Sequence, residues 1–153
     1  MHYYTVHLEG RDTNEFRDFF NRMNSNEKGK IELAEINRYI QQIGEVLGAF
    51  AKHFKKEDAA EALPPPYYFI ETDSPGDYGL RLYCIRLTPS VVILLNGGRK
   101  TTQKVKDCPN CYPHFQLARN LAKKIDQAII DGDIEIDEEN KEIVVYEDYI
   151  LNL

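Results

Sequence analysis

Apolar residues recur every three or four positions in three parts of the chain, which predicts three helices. The first is short, follows a loosely alternating strand at residues 3–8, and has Asp12 as its predicted N-cap. The third begins near Pro113 and is closed by Gly132. The second is predicted to run to the prolines at 64–66, and its apolar stripe is Ile36, Ile40, Ile43, Leu47, Phe50 and Phe54. The first two helices are therefore expected to form an antiparallel pair lying on a sheet.

Two apolar segments, Leu80 to Leu87 and Val91 to Leu95, are too short for ordinary helices and predict a central hairpin turned at residues 88–90. Asn96-Gly97-Gly98 predicts a turn after it. Further strands are predicted over Tyr67 to Glu71 and, as a terminal hairpin, over residues 133–136 and 141–146. The pattern predicts a single α+β domain over residues 1–153, in which an N-terminal strand and a helical hairpin pack on an antiparallel sheet, with an extra acidic hairpin at the C-terminus.

The charge pattern singles out Tyr78 to Lys106, a stretch without Asp or Glu in a chain of net charge −6. Its six basic residues are Arg81, Arg86, Arg99, Lys100, Lys104 and Lys106. We expect the central hairpin to bring these cations to one region and so to form a site for a polyanion. The acidic chain as a whole is not expected to coat DNA, but a local RNA site is compatible with its charge.

Several features predict a cytoplasmic protein without a membrane partner. No run approaches the roughly 20 apolar residues of a membrane span. The segment MHYYTVHLEG lacks the basic and apolar regions of a signal peptide. Three cysteines do not make a complete disulfide framework, which agrees with a reducing compartment.

Three segments of the chain resemble the RelE/HigB superfamily of bacterial toxins, in particular the phage-derived HigB-like branch of type II toxin–antitoxin systems. They are Leu80-Arg81-Leu82-Tyr83, the run Val92-Ile93-Leu94-Leu95-Asn96-Gly97-Gly98-Arg99-Lys100-Thr101, and the helix containing Ala118-Arg119. The resemblance covers residues 1–130 in the order of elements and about fifty residues in motif. Residues 131–153 have no counterpart and form an acidic extension.

The resemblance implies a RelE-like fold and an endoribonuclease that cleaves mRNA, often on the ribosome, and is neutralised by a small antitoxin protein. It implies no cofactor and no direct DNA contact. Arg81 matches the strand arginine that faces the scissile phosphate, Arg99 and Lys100 match the basic turn, and Lys104 matches the basic position after it. The chain departs from the family in having Gly98-Arg99-Lys100 where many relatives have an aromatic residue and two lysines, and no His or Tyr matches their acid/base residues.

RNA cleavage without a metal needs a base for the 2′-OH, stabilisation of charge on the phosphate, and an acid for the leaving oxygen. Arg81 and Arg99 suit phosphate binding, because a guanidinium holds two oxygens at once. Lys100 or Lys104 could act as acid or base if neighbouring cations lower its pKa. Arg86 and Lys106 are further candidates for RNA binding, although strand alternation places Arg86 on the face opposite Arg81. The alternative is that the loop cations only form a solvated turn.

Cys108-x-x-Cys111 with His114 offers three zinc-type ligands, to which Cys84 could add a fourth. A single CxxC is a weak signal, and we expect no stoichiometric metal and reduced cysteines. A small zinc-stabilised module is nevertheless one alternative to a toxin.

The terminal segment, residues 131–148, contains nine acids and one lysine and so carries −8, which leaves +2 for the rest because the whole chain carries −6. This segment is expected to form a hairpin with a solvated acidic face. The alternative is that it folds over the basic site or repels RNA. A second alternative function follows from it: a non-catalytic interaction domain that keeps the toxin fold and uses the acidic hairpin as its partner surface.

Overall fold

The computed structural model describes residues 1–67 and 75–153 and shows an α+β fold built on a mixed five-stranded sheet. The strands of this sheet, in the spatial order β1-β5-β4-β3-β2, are β1 (His2–Tyr4), β2 (Lys55–Glu57), β3 (Ala60–Leu63), β4 (Leu80–Thr88) and β5 (Val91–Arg99). The helices are α1 (Glu15–Met23), α2 (Glu27–Gln42) and α3 (Tyr112–Ile130), and a separate hairpin consists of β6 (Ile134–Asp137) and β7 (Glu142–Val145).

The sheet separates two apolar cores because alternate side chains of each strand point to opposite faces. On one face, Leu82 and Cys84 of β4 pack with Phe19 of α1 and Ile36 of α2. On the other face, Tyr83 and Ile85 of β4 belong to the core that includes α3, with Phe115 and Leu121 among its members. The predicted helical pair on a sheet is confirmed, and α3 covers the second face.

The prediction of an all-antiparallel sheet was wrong. β1 pairs in parallel with β5, with His2 opposite Val91 and Tyr4 opposite Ile93. The two helices between β1 and the rest of the sheet make this possible, since a parallel pair needs a long crossover connection. α1 also begins later than predicted, because the side chain of Asn14, and not that of Asp12, caps it by accepting the Arg17 N–H at 2.8 Å.

The second helix is shorter than predicted. Regular α-helix ends at Gln42, and a single π turn, Ile43–Leu47, leads to Gly48, whose φ of 78° lies in the left-handed region. Leu47 and Phe50 of the predicted apolar stripe are exposed, whereas Phe54 is buried. The chain thus leaves the helix at a residue that tolerates this backbone conformation.

β2 and β3 form an antiparallel pair where helix was predicted to continue. Their sequences, KKE and AEAL, consist of good helix formers, so local propensity favoured helix. The pairing of β3 with β4, in which Ala62 lies opposite Tyr83, places Ala60 and Ala62 in the core on the α3 face. Tertiary burial therefore outweighs the local preference here.

The central hairpin, β4 and β5 turned at residues 88–90, is confirmed. Asn96-Gly97-Gly98 was predicted to be a turn, but all three residues belong to β5 and are buried. Both glycines are needed for close packing: a Cβ on Gly97 would lie 1.8 Å from the Arg81 carbonyl oxygen, and one on Gly98 would lie 2.6 Å from the Asn110 carbonyl oxygen. Arg99 is consequently the last residue of a strand and not part of a turn.

The terminal hairpin is confirmed as β6 and β7, but it does not fold over the basic stretch. Ile134 is buried in the core beneath α3. The Tyr4 hydroxyl accepts the Ile143 N–H at 3.0 Å, and His2 Nδ1 lies 2.6 Å from the Lys141 carbonyl oxygen. The hairpin therefore lies beside β1, at the edge of the sheet opposite β2.

The predicted strand over 67–71 lies outside the described residues except for Tyr67, which is part of a turn. Within the described ranges, no helix has the length and apolar character needed to cross a membrane.

Candidate functional site

The six cations of the basic stretch do not converge. Arg99 lies on the α1/α2 face, where its Nη1 contacts both oxygens of Glu32 at 3.1 and 3.0 Å and donates to Asp77 Oδ1 at 2.9 Å. Arg86 Nε donates to Glu61 Oε1 at 2.9 Å. The acids of these ion pairs come from α2, from β3 and from just before the basic stretch. Arg99, predicted to bind phosphate, and Arg86, predicted to bind RNA, thus already have carboxylate partners.

A second cation also contacts Asp77. Lys28 makes an ion pair with this carboxylate, and the Gly79 N–H donates to it at 2.9 Å. Burial alone would raise the pKa of Asp77, but the hydrogen bonds from Lys28, Gly79 and Arg99 outweigh it and lower the pKa to about 2. Asp77 is therefore ionised at neutral pH, and its network with Arg99 fastens the end of β5 to α2.

Arg81 and Lys100 lie together on the α3 face, and Lys55 of β2 lies beside them; we call these three residues the cationic cluster. Arg81 Nη1 donates to the Leu80 carbonyl at 3.0 Å, while its buried Nε has no partner among the described residues. Lys55 makes an ion pair with Glu57 at 3.1 Å. Lys55 and Glu57 were not foreseen, because the sequence assigned their strand to a helix.

Lys100 is the most enclosed cation of the cluster, with only 6% of its surface exposed. In the described part of the chain its Nζ has no carboxylate within ion-pairing distance. Burial lowers the pKa of Lys100, and the neighbouring Lys55 and Arg81 lower it further, while Glu57 opposes them. This is the condition under which the sequence suggested a lysine as acid or base.

Lys104 and Lys106 lie in the exposed loop between β5 and α3, which includes a 3₁₀ turn at Val105–Asp107. Cys108 holds this loop in place, since the Thr101 N–H donates to its sulfur at 3.5 Å and the sulfur lies 3.6 Å from the Arg99 carbonyl oxygen. The two lysines are positioned to meet a polyanion from solvent, outside the cationic cluster.

The cysteines serve packing and do not form a metal site among the described residues, where no group of three metal-ligating side chains occurs. Cys108 and Cys111 are fully buried on the α3 face, whereas Cys84 belongs to the core on the opposite face. Burial and the neighbouring Cys108 raise the pKa of Cys111 to about 12, so its thiol stays protonated. His114 lies one turn further along α3 and lines a different cavity.

That cavity is a polar cleft of about 570 Å³, which we call the α1–α3 cleft. β1 ends at Tyr4, so no strand among the described residues lies beside residues 94–99 of β5 on that edge, and the N-terminal turns of α1 and α3 border the cleft there. Its lining residues are Leu8, Gly10, Arg11, Asp12, Thr13, Glu15, Asp18, Asn96, Pro113, His114 and Leu117.

Asn96 is the centre of a hydrogen-bond network in the cleft. Its Nδ2 donates to Glu15 Oε2 at 3.1 Å and to Asp18 Oδ2 at 2.9 Å. Its Oδ1 accepts from Arg22 Nη2 at 2.5 Å, and the same Arg22 atom donates to the Gly97 carbonyl at 2.7 Å. The sequence analysis missed this network. Two features of the sequence point to it: two acids three residues apart at the start of a helix, and an Asn within an apolar strand, where a buried polar side chain needs partners.

His114 is neutral at physiological pH. Burial lowers the pKa of its imidazole to about 4, and the positive charges of Arg22 and Arg11 add to this, while Asp18 opposes it. The cleft therefore combines a neutral imidazole with the Glu15 and Asp18 carboxyl groups and the Arg11 guanidinium.

Comparisons with known proteins add no identification: no protein-family description, no curated protein and no solved structure matches this chain. The relation to the RelE/HigB superfamily consequently rests on the motif resemblance alone.

Proposed function

We propose that this chain is a metal-independent endoribonuclease that cleaves mRNA and acts as the toxin of a toxin–antitoxin pair, with the cationic cluster as its phosphate site. The observation that carries the proposal is the cationic cluster itself: Arg81 and Lys55 lie beside the nearly fully buried Lys100, and the buried Arg81 Nε has no partner among the described residues. A buried N–H group without a partner is costly, and a bound phosphate would accept a hydrogen bond from it and add negative charge beside the cations.

Each member of the cluster has a role in the proposed reaction. The Arg81 guanidinium, whose Nε has no described partner, binds the phosphate oxygens as negative charge develops on them. Burial and the neighbouring cations lower the pKa of Lys100, which increases the share of its neutral amine, and this amine accepts the proton of the 2′-OH. The 2′-oxygen then attacks phosphorus, and the Lys55 ammonium gives its proton to the departing 5′-oxygen. Lys104 and Lys106 bind the RNA backbone from the loop.

The proposal narrows the set of site residues predicted from the sequence. Arg99 and Arg86 are assigned to ion pairs with Glu32, Asp77 and Glu61, and not to the substrate. Arg81 and Lys100 remain as catalytic residues, Lys55 joins them, and Lys104 is assigned to RNA binding together with Lys106.

The experiment compares purified wild-type protein with Arg81→Ala and Lys100→Met on end-labelled RNA and on ribosome-bound mRNA, in the presence of a chelator. Methionine keeps most of the volume of the buried lysine side chain. Lys124→Ala, on an exposed part of α3, is the matched control. We expect the cluster variants to lose about 10²–10³ in cleavage rate, the cost of removing one donor to a developing oxyanion, and Lys124→Ala to lose nothing. Intact RNA after incubation with wild type would rule out the nuclease.

A specific observation favours a second candidate, a non-catalytic interaction domain. Large apolar side chains are exposed around the terminal hairpin and tail, with Tyr146 at 71% and Ile150 at 75%. Exposed apolar groups that cluster in this way often mark a surface for a protein partner. Wild type that binds RNA or a protein partner without cleaving RNA, and with no effect on growth when expressed, would favour this candidate.

A further inference from the structure

The α1–α3 cleft contains two carboxylates that are fixed in place before any ligand binds. Glu15 and Asn96 are 6% and 3% exposed, so both lie within the fold. Both Nδ2 protons of Asn96 are used, one for Glu15 and one for Asp18, and therefore Asn96 acts as a positioning residue. Arg22 holds Asn96 from the other side. An arrangement fixed in this way loses little conformational entropy on binding a ligand.

The second oxygen of each carboxylate remains available. Glu15 Oε1 and Asp18 Oδ1 accept no hydrogen bond from the described residues, although both side chains line the cleft. Asp18 is ionised at neutral pH, because the hydrogen bond from Asn96 and the charge of Arg22 lower its pKa against the effect of burial. The cleft thus presents acceptors that lack donors.

The other walls of the cleft limit what kind of donor fits. Leu8, Pro113 and Leu117 supply apolar surface, which suits the face of a flat group. Arg11 and Arg22 offset much of the negative charge of the cleft, so a neutral ligand is accommodated as well as a cation. The imidazole of His114 both donates and accepts hydrogen bonds in its neutral state. About 570 Å³ is enough for a nucleoside-sized ligand.

We propose that the α1–α3 cleft binds a flat ligand through two neighbouring in-plane N–H donors, the N–C–N edge shared by guanine and guanidinium compounds. Glu15 Oε1 and Asp18 Oδ1 would each accept one of the two N–H donors, and hydrogen bonds to a carboxylate are stronger than those between neutral groups. The inference goes beyond the proposed nuclease and does not depend on it, since the cleft is lined by residues other than the cationic cluster.

The experiment measures binding of guanosine and inosine by calorimetry, together with shifts of the cleft resonances in NMR spectra. Inosine lacks the 2-amino group of guanosine and therefore half of the donor edge. Methylguanidine and methylammonium form the second pair, in which both compounds are cations but only methylguanidine has the N–C–N donor edge. We expect the ligand with the complete edge to bind about tenfold more tightly than its partner in at least one pair, as the loss of one good hydrogen bond implies.

Three variants assign any binding to the cleft. Glu15→Gln and Asp18→Asn keep the shape of each side chain, and each is expected to weaken binding about tenfold or more by replacing an acceptor with a donor. Glu138→Gln, at an exposed turn of the terminal hairpin, is the matched control and should bind like wild type. Thermal melts verify that each variant is folded.

The outcomes distinguish the two classes of ligand that carry this donor edge. Selective binding of guanosine identifies a nucleobase site, and selective binding of methylguanidine alone identifies a guanidinium site. Equal binding within both pairs, no binding of any of the four compounds, or unchanged binding in both cleft variants would overturn the proposal. Arg81→Ala should bind the ligand normally, so that failure of the nuclease proposal and failure of this one are distinguishable.

Discussion

The role of Arg99 does not follow from its positive charge alone. Its guanidinium is bounded by Glu32, whose side chain is 6% exposed, and by Asp77, whose side chain is 11% exposed. The hydrogen bonds to both carboxylates raise the pKa of Arg99 against the effect of burial. From the sequence, Arg99 is a cation of a predicted turn; in the structure it neutralises two enclosed acids.

We therefore predict that Arg99→Ala destabilises the protein by about 3 kcal/mol, because it leaves the enclosed Glu32 without its described cation. Urea unfolding followed by circular dichroism measures the change. The double variant Arg99→Met with Glu32→Leu removes both charges and should recover most of the loss, since apolar replacement of a whole buried pair is often nearly neutral. A single variant as stable as wild type would contradict the structural role of Arg99.

At the scale of elements, the pairing of β4 and β5 decides where the two candidate sites lie. Asn96 lies near the end of β5 and Lys100 directly follows the strand, yet the first reaches the α1–α3 cleft and the second the cationic cluster. The register shift between Leu82 and Cys84 accompanies this divergence. Such irregularities re-aim side chains within a strand, and here the irregularity is followed by two glycines that allow close contacts on both sides.

Gly97→Ala is predicted to disrupt this part of the sheet. A methyl group there would lie 1.8 Å from the Arg81 carbonyl oxygen, which is backbone and has no room to move without separating the strands. We expect a loss of about 3 kcal/mol or more in the free energy of unfolding, or failure to fold.

Gly44→Ala is the matched glycine control. Its added methyl group would meet only the side chain of Tyr3, with Cε2 at 3.2 Å, and no backbone atom, so we expect a change within about 1 kcal/mol. Similar denaturation midpoints for the two variants would show that β4 and β5 are not packed as closely as described.

For the whole molecule, the terminal hairpin combines a strong negative charge with a part in the core. Ile134 is buried, and Ile136, Ile143, Tyr149 and Leu151 pack against the same core. The hairpin contacts β1 and α3, whereas Lys55 of the cationic cluster lies on β2 at the far edge of the sheet. Its charge is thus separated from the proposed phosphate site, although its apolar side chains are part of the fold.

Removal of residues 131–153 is accordingly predicted to give an unfolded or aggregated chain, because it uncovers the apolar surface of α3 and β1. Neutralising three exposed acids, with Glu138→Gln, Glu139→Gln and Glu147→Gln together, should leave the melting temperature almost unchanged. At 0.15 M salt it should raise affinity for RNA by less than about threefold, because exposed charges are screened beyond about 8 Å. A soluble, folded truncation, or a much larger gain in affinity, would contradict these contacts.

Much of the secondary structure is determined by the sequence alone. Three helices, the central hairpin and the terminal hairpin follow from apolar periodicity and from turn residues, because each depends on interactions between near neighbours in the chain. β2 and β3 were missed for the same reason: KKE and AEAL favour helix locally, and only contact with β4 makes them strands.

The site was decided by the tertiary structure. An acid-free stretch looks like a single basic surface along the chain, but Glu32, Glu61 and Asp77 lie outside the stretch and reach its arginines only in the fold. The pleat of the sheet also separates the cations, because Arg81 and Lys100 lie on the face opposite Arg99. The grouping of Glu15 and Asp18 with Asn96, 81 and 78 residues away, is likewise a product of long-range packing, which local pattern does not encode.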